Sequence, residues 1–455
     1  MAPPTQSPPA ASLGSALTSE GPRSSVSSRT ALGNGTLEHP LPAGMRDLLP
    51  PVARRQGELA RRVTRCFELH GYEMVTLPVF EYAEVLERGL GALDSEEVLR
   101  FVEPESGEVV ALRPDMTPQI ARILATRLAE LPGPARLCYH GSVVRRRRER
   151  ARRHRQIFQA GVELLGLQGP AGDLEILRLA SAGVRAAGLS SFVFDLGHAR
   201  IAAALLETLP EARTAELVDA LAIKDRTEVE KRAAAAGFSG RTLTAIAELC
   251  DLHGGAEVWP RAERLLVGTA AEPALRELRQ IWDAVSSADL TPKLLVDLSE
   301  TRNFAYYTGL MFQIHADGPG SPIGAGGRYD SLLARFGAPR AAAGFALSLD
   351  HLAWALESIG REESNEPRLL AVGAHESLLA NLRSLGVPCS VAYAAPGAEA
   401  LAYARAWRFS HVLEVSAASG GSGALVRVAD EQSKSVLLEP QALASELCLP
   451  PVGSA

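Results

Sequence analysis

The feature that most constrains this chain is a run of positive charge between two strand-like segments. Arg145 to Arg155 reads Arg-Arg-Arg-Arg-Glu-Arg-Ala-Arg-Arg-His-Arg, eight arginines and one glutamate in eleven residues, net +7 with His154 neutral. The segments on either side, 137–144 and 156–165, read as strands, so the run predicts a charged hairpin. Arginine's planar fork suits phosphate oxygens, and clustered charge attracts polyanions. A plain solvated loop explains the run equally well. In Gln156-Ile-Phe-Gln-Ala-Gly-Val-Glu163, alternation places Gln159, Gly161 and Glu163 on one side of the strand. Phe158 and Val162 fall on the other. Two polar side chains and a glycine on one face read as a lined pocket, with a solvent-facing strand as the alternative.

Composition bounds what surrounds this hairpin. At about 150 residues per domain, 455 residues suggest two to four domains. The charge sum is 47 − 53 = −6, so any affinity for nucleic acid or phosphate must come from a local patch. Cys66, Cys138, Cys250, Cys389 and Cys448 stand far apart with no CxxC pair, against a zinc ribbon or thioredoxin-type site. Scattered single cysteines fit a reducing, cytoplasmic setting. No run of 18 apolar residues is present, so no membrane-spanning helix is expected. Residues 1–35 hold 17 Pro, Ser or Gly and no aromatic. Such a segment cannot bury enough apolar surface to offset its ordering entropy, so 1–36 is expected to be a disordered tail.

Periodicity predicts helices over 52–70, 117–128 and 173–188. It predicts strands over 74–77, 99–102, 109–112, 192–196, 294–298 and 307–315, with 99–102 and 109–112 forming a hairpin. Residues 199–290 are rich in Ala, Leu, Glu and Arg, which marks a helical insertion. Gly324-Ala-Gly-Gly327 reads as a turn, and 341–357 as a strand followed by a helix. A polar linker spans 359–367. Alternating strand and helix signals over 368–449 then predict a small α/β domain with a partly parallel sheet.

Three further stretches carry polar chemistry. Leu112-Arg-Pro-Asp-Met-Thr-Pro118 is a compact turn before a helix, where Asp115 or Thr117 caps the helix or, alternatively, Asp115 holds an ammonium group. Thr301-Arg-Asn-Phe-Ala-Tyr-Tyr-Thr-Gly309 brings Arg302 together with Tyr306 and Tyr307. Gly326-Gly-Arg-Tyr-Asp330 reads as a strand-to-helix turn. No P-loop, HExxH, GxSxG or GxGxxG occurs. The paired acids and small-residue loop of a phosphoribosyl-pyrophosphate cradle are also missing. No cofactor, metal site or catalytic residue is therefore expected.

As an ordered set, these segments resemble the histidyl-tRNA synthetase family of class II. The first helix with Gly71, Tyr72 and Pro78 is similar to motif 1, a dimer interface. Residues 140–163 are similar to motif 2, 302–309 to the family's histidine-specific motif, and 344–352 to motif 3. Residues 368–448 resemble a degenerate anticodon-binding domain. The resemblance implies an α+β fold, an antiparallel sheet flanked by helices, over 37–358. It also implies a histidine pocket of Asp115, Thr117, Gln159, Glu163, Arg302, Tyr306, Tyr307 and Tyr329. Arg302 would pair the ligand carboxylate. Asp115, Thr117 and Gln159 would take its ammonium, and Glu163 and Tyr307 its imidazole.

Two departures stand in the ATP site. Motif 2 of the synthetases reads Arg-x-Glu; Arg145 is kept, but Arg147 stands at the glutamate. His351 stands where motif 3 has its ATP-clamping arginine. Losing that contact costs on the order of 1.5–3 kcal/mol per charged hydrogen bond. A histidine-shaped pocket without ATP machinery resembles the synthetase-like branch that serves histidine biosynthesis as regulatory subunits of ATP phosphoribosyltransferase. The string Leu-Arg-Pro-Asp-Met-Thr-Pro-Gln is closer to that branch than to the synthetases' Leu-Arg-Pro-Glu-Gly-Thr. The resemblance implies a non-catalytic subunit that activates a short catalytic partner, contributes to histidine feedback and forms a dimer through the motif 1-like region. Arg145 and Arg153 are the candidate phosphate or partner contacts. An active histidyl-tRNA synthetase and a tRNA-binding sensor are the alternatives. TRNA is disfavoured because Arg368, Arg383, Arg405, Arg408, Arg427 and Lys434 are spread along the end domain.

Overall fold

Nine strands form the main sheet. In spatial order they are Glu73–Met74, Ala135–Val144, Gln156–Leu165, Ala342–Ser348, Gly324–Arg328, Leu310–His315, Val193–His198, Lys293–Asp297 and His253–Gly254. The computed structural model describes residues 41–90, 98–146, 154–288, 290, 293–301, 306–360, 367–416 and 421–447. Contacts divide the chain into Met1–Arg46 and Asp47–Ala455. In the first unit, a turn closes from Met45 N–H to the Pro42 carbonyl at 3.0 Å. All that follows belongs to the second.

The sheet is mostly antiparallel, as expected, but two pairs are parallel. Glu73–Met74 runs parallel to Ala135–Val144, and Val193–His198 to Lys293–Asp297. Parallel neighbours need a long crossover. The segment between 198 and 293 supplies one through six helices, beginning with Ala199–Leu206 and ending with Glu272–Ser287. It is helical as expected, apart from the short strand His253–Gly254, which joins the sheet edge.

Alternation gives the sheet two unlike faces. Val162, Leu164, Phe345, Leu347, Phe312 and Phe194 point to one side and join a single apolar core. The helices Val52–Leu69, Gly169–Ala187 and Glu272–Ser287 cover that side. Leu59, Val63 and Phe67 recur at helical spacing on Val52–Leu69 and are all buried. Gly188, at φ 103°, lets Gly169–Ala187 end in a left-handed cap that a Cβ would strain.

The glycine run 324–327 is a strand, not the expected turn. It lies between Leu310–His315 and Ala342–Ser348. A Cβ at Gly326 would strike the Gly344 carbonyl and Phe345, and one at Gly327 the Leu310 carbonyl. Glycine is therefore required by close approach rather than by chain reversal. The hairpin Leu99–Val102 and Val109–Leu112 forms where the periodicity placed it. It adds Phe80–Tyr82 to make a three-stranded sheet, followed by the helix Ala83–Leu90.

The five-stranded sheet near the carboxyl end has the order Cys389–Val391, Leu369–Val372, His411–Glu414, Ser422–Arg427, Ser433–Leu437. Its first three strands are parallel and its last two antiparallel. Leu369 to Val372 are all buried, as parallel strands covered on both faces require. The last strand and the helix Pro440–Glu446 were not foreseen. Among the described residues, no helix is long and apolar enough to cross a membrane.

Candidate functional site

The site lies on the second face of the main sheet. Pairing aligns two rows of side chains there: Glu163, Gly344, Gly327, Met311 and Gly197, then Gly161, Ala346, Ala325, Gln313 and Asp195. The rows continue onto Leu137 and Tyr139, which belong to a second apolar cluster, so the small-residue floor begins at Gly344 and Ala346. Glu163, between Leu137 and Gly344, is 1% exposed.

Glu163 Oε1 accepts from the Thr117 hydroxyl at 2.6 Å and from the Tyr139 hydroxyl at 3.3 Å. Among the described residues, its Oε2 has no hydrogen-bond partner. The Tyr329 hydroxyl is likewise buried and unpartnered, as is Gln159 Nε2. A Cβ at Gly344 would overlap both Glu163 Oε2 and the Tyr329 hydroxyl. The two unsatisfied groups therefore converge over residue 344, and only glycine leaves them room there. Unsatisfied buried polar atoms are costly, and a ligand offering a donor at this point would relieve the cost. Burial holds the Glu163 carboxyl well above the usual carboxylate range, and the Thr117 hydroxyl opposes the shift. Burial also raises the Tyr139 and Tyr306 phenols well above their ordinary range.

Three tyrosines wall the space. The rings of Tyr306 and Tyr307 meet edge to face at 5.1 Å, and Tyr306 lies 5.1 Å from Tyr329. A Cβ at Gly327 would meet the Tyr307 ring at 2.9 Å, so the second glycine of the row lets that ring lie on the sheet. Asp115 Oδ1 accepts from the Met116 and Thr117 amides at 2.6 and 3.2 Å and from the Thr117 hydroxyl at 3.4 Å, just ahead of the helix Thr117–Thr126, whose N-cap residue is Met116.

The structure thus brings together Asp115, Thr117, Gln159, Glu163, Tyr306, Tyr307 and Tyr329. Arg302, Arg147 and Arg153 lie outside the described residues. Arg145 closes the base of the basic loop, its amide donating to the Arg155 carbonyl at 3.0 Å. Its Nε donates to the Pro114 carbonyl at 2.8 Å, beside Asp115. Sequence reasoning missed Tyr139, which shares the Glu163 face of its strand by the same alternation that singled out Gln159. It also missed Gly344, whose role shows only across three strands.

The motif 3-like residues are engaged elsewhere. His351 Nδ1 lies 2.8 Å from the Pro322 carbonyl. Asp350 accepts from the Phe158 amide at 3.1 Å and from Gln56 at 3.2 Å. Beyond Tyr307, an open cleft of about 50 Å³ is lined by Asp195, Asp297, Glu300, Met311 and Gln313. Lys224 reaches it from the helical insertion and donates to Asp297 at 2.6 Å and to Ser299 at 2.7 Å. Among the described residues, no cluster of three His, Cys, Asp or Glu side chains could hold a metal ion.

The mostly antiparallel main sheet with helices on one face is a class II synthetase-like fold. Residues 44–352 match the family described as histidyl-tRNA synthetase. A protein of Anaeromyxobacter sp. (strain Fw109-5), an ATP phosphoribosyltransferase regulatory subunit, is 46% identical over 332 residues, 70% of this chain and 94% of the relative. The protein of that name from Syntrophotalea carbinolica is 34% identical over 409 residues, 88% of this chain and 95% of the relative. A solved Bacillus halodurans structure, titled an ATP phosphoribosyltransferase regulatory subunit/histidyl-tRNA synthetase, superposes with a TM-score of 0.73 at 27% identity. It covers 84% of this chain and 99% of its own. The chain belongs to the histidyl-tRNA synthetase-like family, in the branch of ATP phosphoribosyltransferase regulatory subunits.

Proposed function

We propose that this chain is the non-catalytic regulatory subunit of an ATP phosphoribosyltransferase in histidine biosynthesis and that its pocket takes histidine. The observation that carries the pocket is the pair of buried polar groups above Gly344, Glu163 Oε2 and the Tyr329 hydroxyl, which lack partners among the described residues. An imidazole N–H donating to Glu163 would give it a partner, with Tyr306 and Tyr307 against the ring. Arg302 would meet the ligand carboxylate and Arg145 a phosphate or the partner subunit, with Arg153 in the same loop.

The absence of adenylation is supported by His351 and Asp350. A permanently charged, bidentate clamp is replaced by an imidazole whose Nδ1 faces the Pro322 carbonyl. The partner is a short-form catalytic subunit, and the coupling between the two is of the usual allosteric size, about 1–3 kcal/mol. Self-association through the motif 1-like region draws support from the exposed apolar side chains Phe80, Tyr82, Phe101 and Val102 beside it. Against tRNA, four cations of the carboxyl-terminal sheet region are already ion-paired: Arg383 with Glu376, Arg405 with Glu431, Arg427 with Asp430 and Lys434 with Glu446. A reducing, cytoplasmic setting follows from this pathway role, and 359–367 links the 37–358 and 368–449 domains.

Adding the purified chain to a short catalytic subunit should raise its rate of joining ATP to phosphoribosyl pyrophosphate. An unchanged rate removes the regulatory reading. The synthetase reading is favoured by the assembled histidine-side residues, and histidine-dependent ATP–pyrophosphate exchange would establish it.

A further inference from the structure

Arg328 carries its charge on the wrong side of the sheet. It pairs with Ala343, whose side chain belongs to the apolar core face, and it is 3% exposed. An apolar side chain of similar volume would often pack there at no loss of stability. Instead the guanidinium is held by four acceptors. They are Asp173 at 2.8 Å, the Gly169 carbonyl at 2.9 Å, Asp330 at 3.1 Å and the Leu167 carbonyl at 3.3 Å. Two glycines leave its slot open. A Cβ at Gly172 would come 2.9 Å from its Nη2, and one at Gly309 would come 3.0 Å from its Cδ.

What this arrangement holds is the pocket wall. The Arg328 carbonyl accepts from the Thr308 amide at 2.7 Å, directly after Tyr306 and Tyr307. The Asp330 amide donates back to the Thr308 hydroxyl at 2.9 Å. Tyr329, between them, donates its amide to the Ala342 carbonyl at 2.8 Å, and the Ala342 amide donates to Asp330 at 2.9 Å. The same Asp330 oxygen accepts from Arg328. The backbone on both flanks of Tyr329 thus ties to Thr308, and the Arg328 side chain braces this stretch at Asp330 while it is anchored to the start of the helix Gly169–Ala187.

We infer that Arg328 is a positioning residue for the ligand pocket: its ion pair with Asp173 fixes Tyr329 opposite Glu163 and holds the Tyr306–Thr308 segment against it. The inference rests on the histidine reading above. Arg328 touches no ligand and acts through Tyr329 and Thr308.

The test is histidine calorimetry on the full chain, with the near-ultraviolet tyrosine difference signal recorded on histidine addition. Arg328→Lys keeps the charge but cannot span the four acceptors, and should raise Kd about tenfold, the loss of roughly one charged hydrogen bond. Its tyrosine difference signal should shrink. Asp330→Asn still accepts from Ala342 but loses the charge facing Arg328, and should raise Kd about threefold. Ile246→Ala, fully buried in the helical insertion, supplies a destabilised control whose Kd and tyrosine signal should stay at wild-type values. If wild type binds no histidine, the pocket reading falls and this inference with it. If wild type binds and both Arg328→Lys and Asp330→Asn stay within twofold, the inference alone falls. It also falls if Ile246→Ala weakens binding as much as they do. Should Arg328→Lys fail to fold, Asp330→Asn decides.

Discussion

The two faces of the main sheet are built from the same strands and obey opposite rules. On the helix-covered face, Val162, Phe345 and Phe312 fill space, with ring centroids 5.6 Å apart for Phe67–Phe345 and 6.3 Å for Phe312–Phe345. On the other, Gly344 and Gly327 make room for Glu163, Tyr329 and Tyr307, and Glu163 Oε2 and the Tyr329 hydroxyl have no partner among the described residues. The first face makes the fold. The second gives up polar satisfaction for placed polar groups, as binding sites do. A shift of one residue in strand register would exchange the two sets.

The largest effect expected is on the packed face. Phe345→Ala should cost about 3–5 kcal/mol by chemical denaturation. Gly344→Ala, one residue away on the opposite face, should cost about 1–3 kcal/mol, because its Cβ overlaps Glu163 and Tyr329. Yet it should abolish calorimetric histidine binding. If Gly344→Ala binds like wild type, Glu163 and Tyr329 are not ligand groups and the contrast between the faces fails.

Glu163→Gln sharpens the comparison through pH. Burial raises the Glu163 pKa above its ordinary 4.5. Such an acid binds more protons in the folded chain than in the unfolded one, so its burial erodes stability as pH rises above that value. Without ligand, Glu163→Gln and wild type should therefore melt alike near pH 4. At pH 8 the variant should be the more stable, and a constant difference across this range would remove the buried-carboxyl account. The variant's histidine affinity should fall by about 1.5–3 kcal/mol, the size of a charged hydrogen bond. Thr117→Val removes only the hydroxyl on Oε1 and should weaken histidine binding by about 1 kcal/mol. The smallest effect belongs to an exposed pair away from both faces. Arg427→Ala, which frees Asp430, should change stability by about 0–1 kcal/mol.

What could be read from the sequence follows the same division. The strand 156–165 and its polar face were legible because alternation is a local signal. So was the helix 52–69, whose apolar stripe ends at Gly71. The glycine strand 324–328 was not, since glycine carries no hydrophobic pattern and its reason lies on the two neighbouring strands, at Leu310 and Gly344. The strand Ser433–Leu437 escaped because it is an edge strand with only Val436 buried. Asp115 read more readily as a helix cap than as a ligand group, and the structure shows its Oδ1 on the Met116 and Thr117 amides just before the helix. The family motifs pointed to Tyr329, but nothing local marked Arg328 as a side chain on the opposite face.

The measurement that bears most directly on this account is the activity of a short-form ATP phosphoribosyltransferase catalytic subunit titrated with the purified chain. The account predicts a rate that rises with added chain to a plateau. A rate that stays flat at every ratio would contradict it, most sharply if the chain alone then showed histidine-dependent ATP–pyrophosphate exchange.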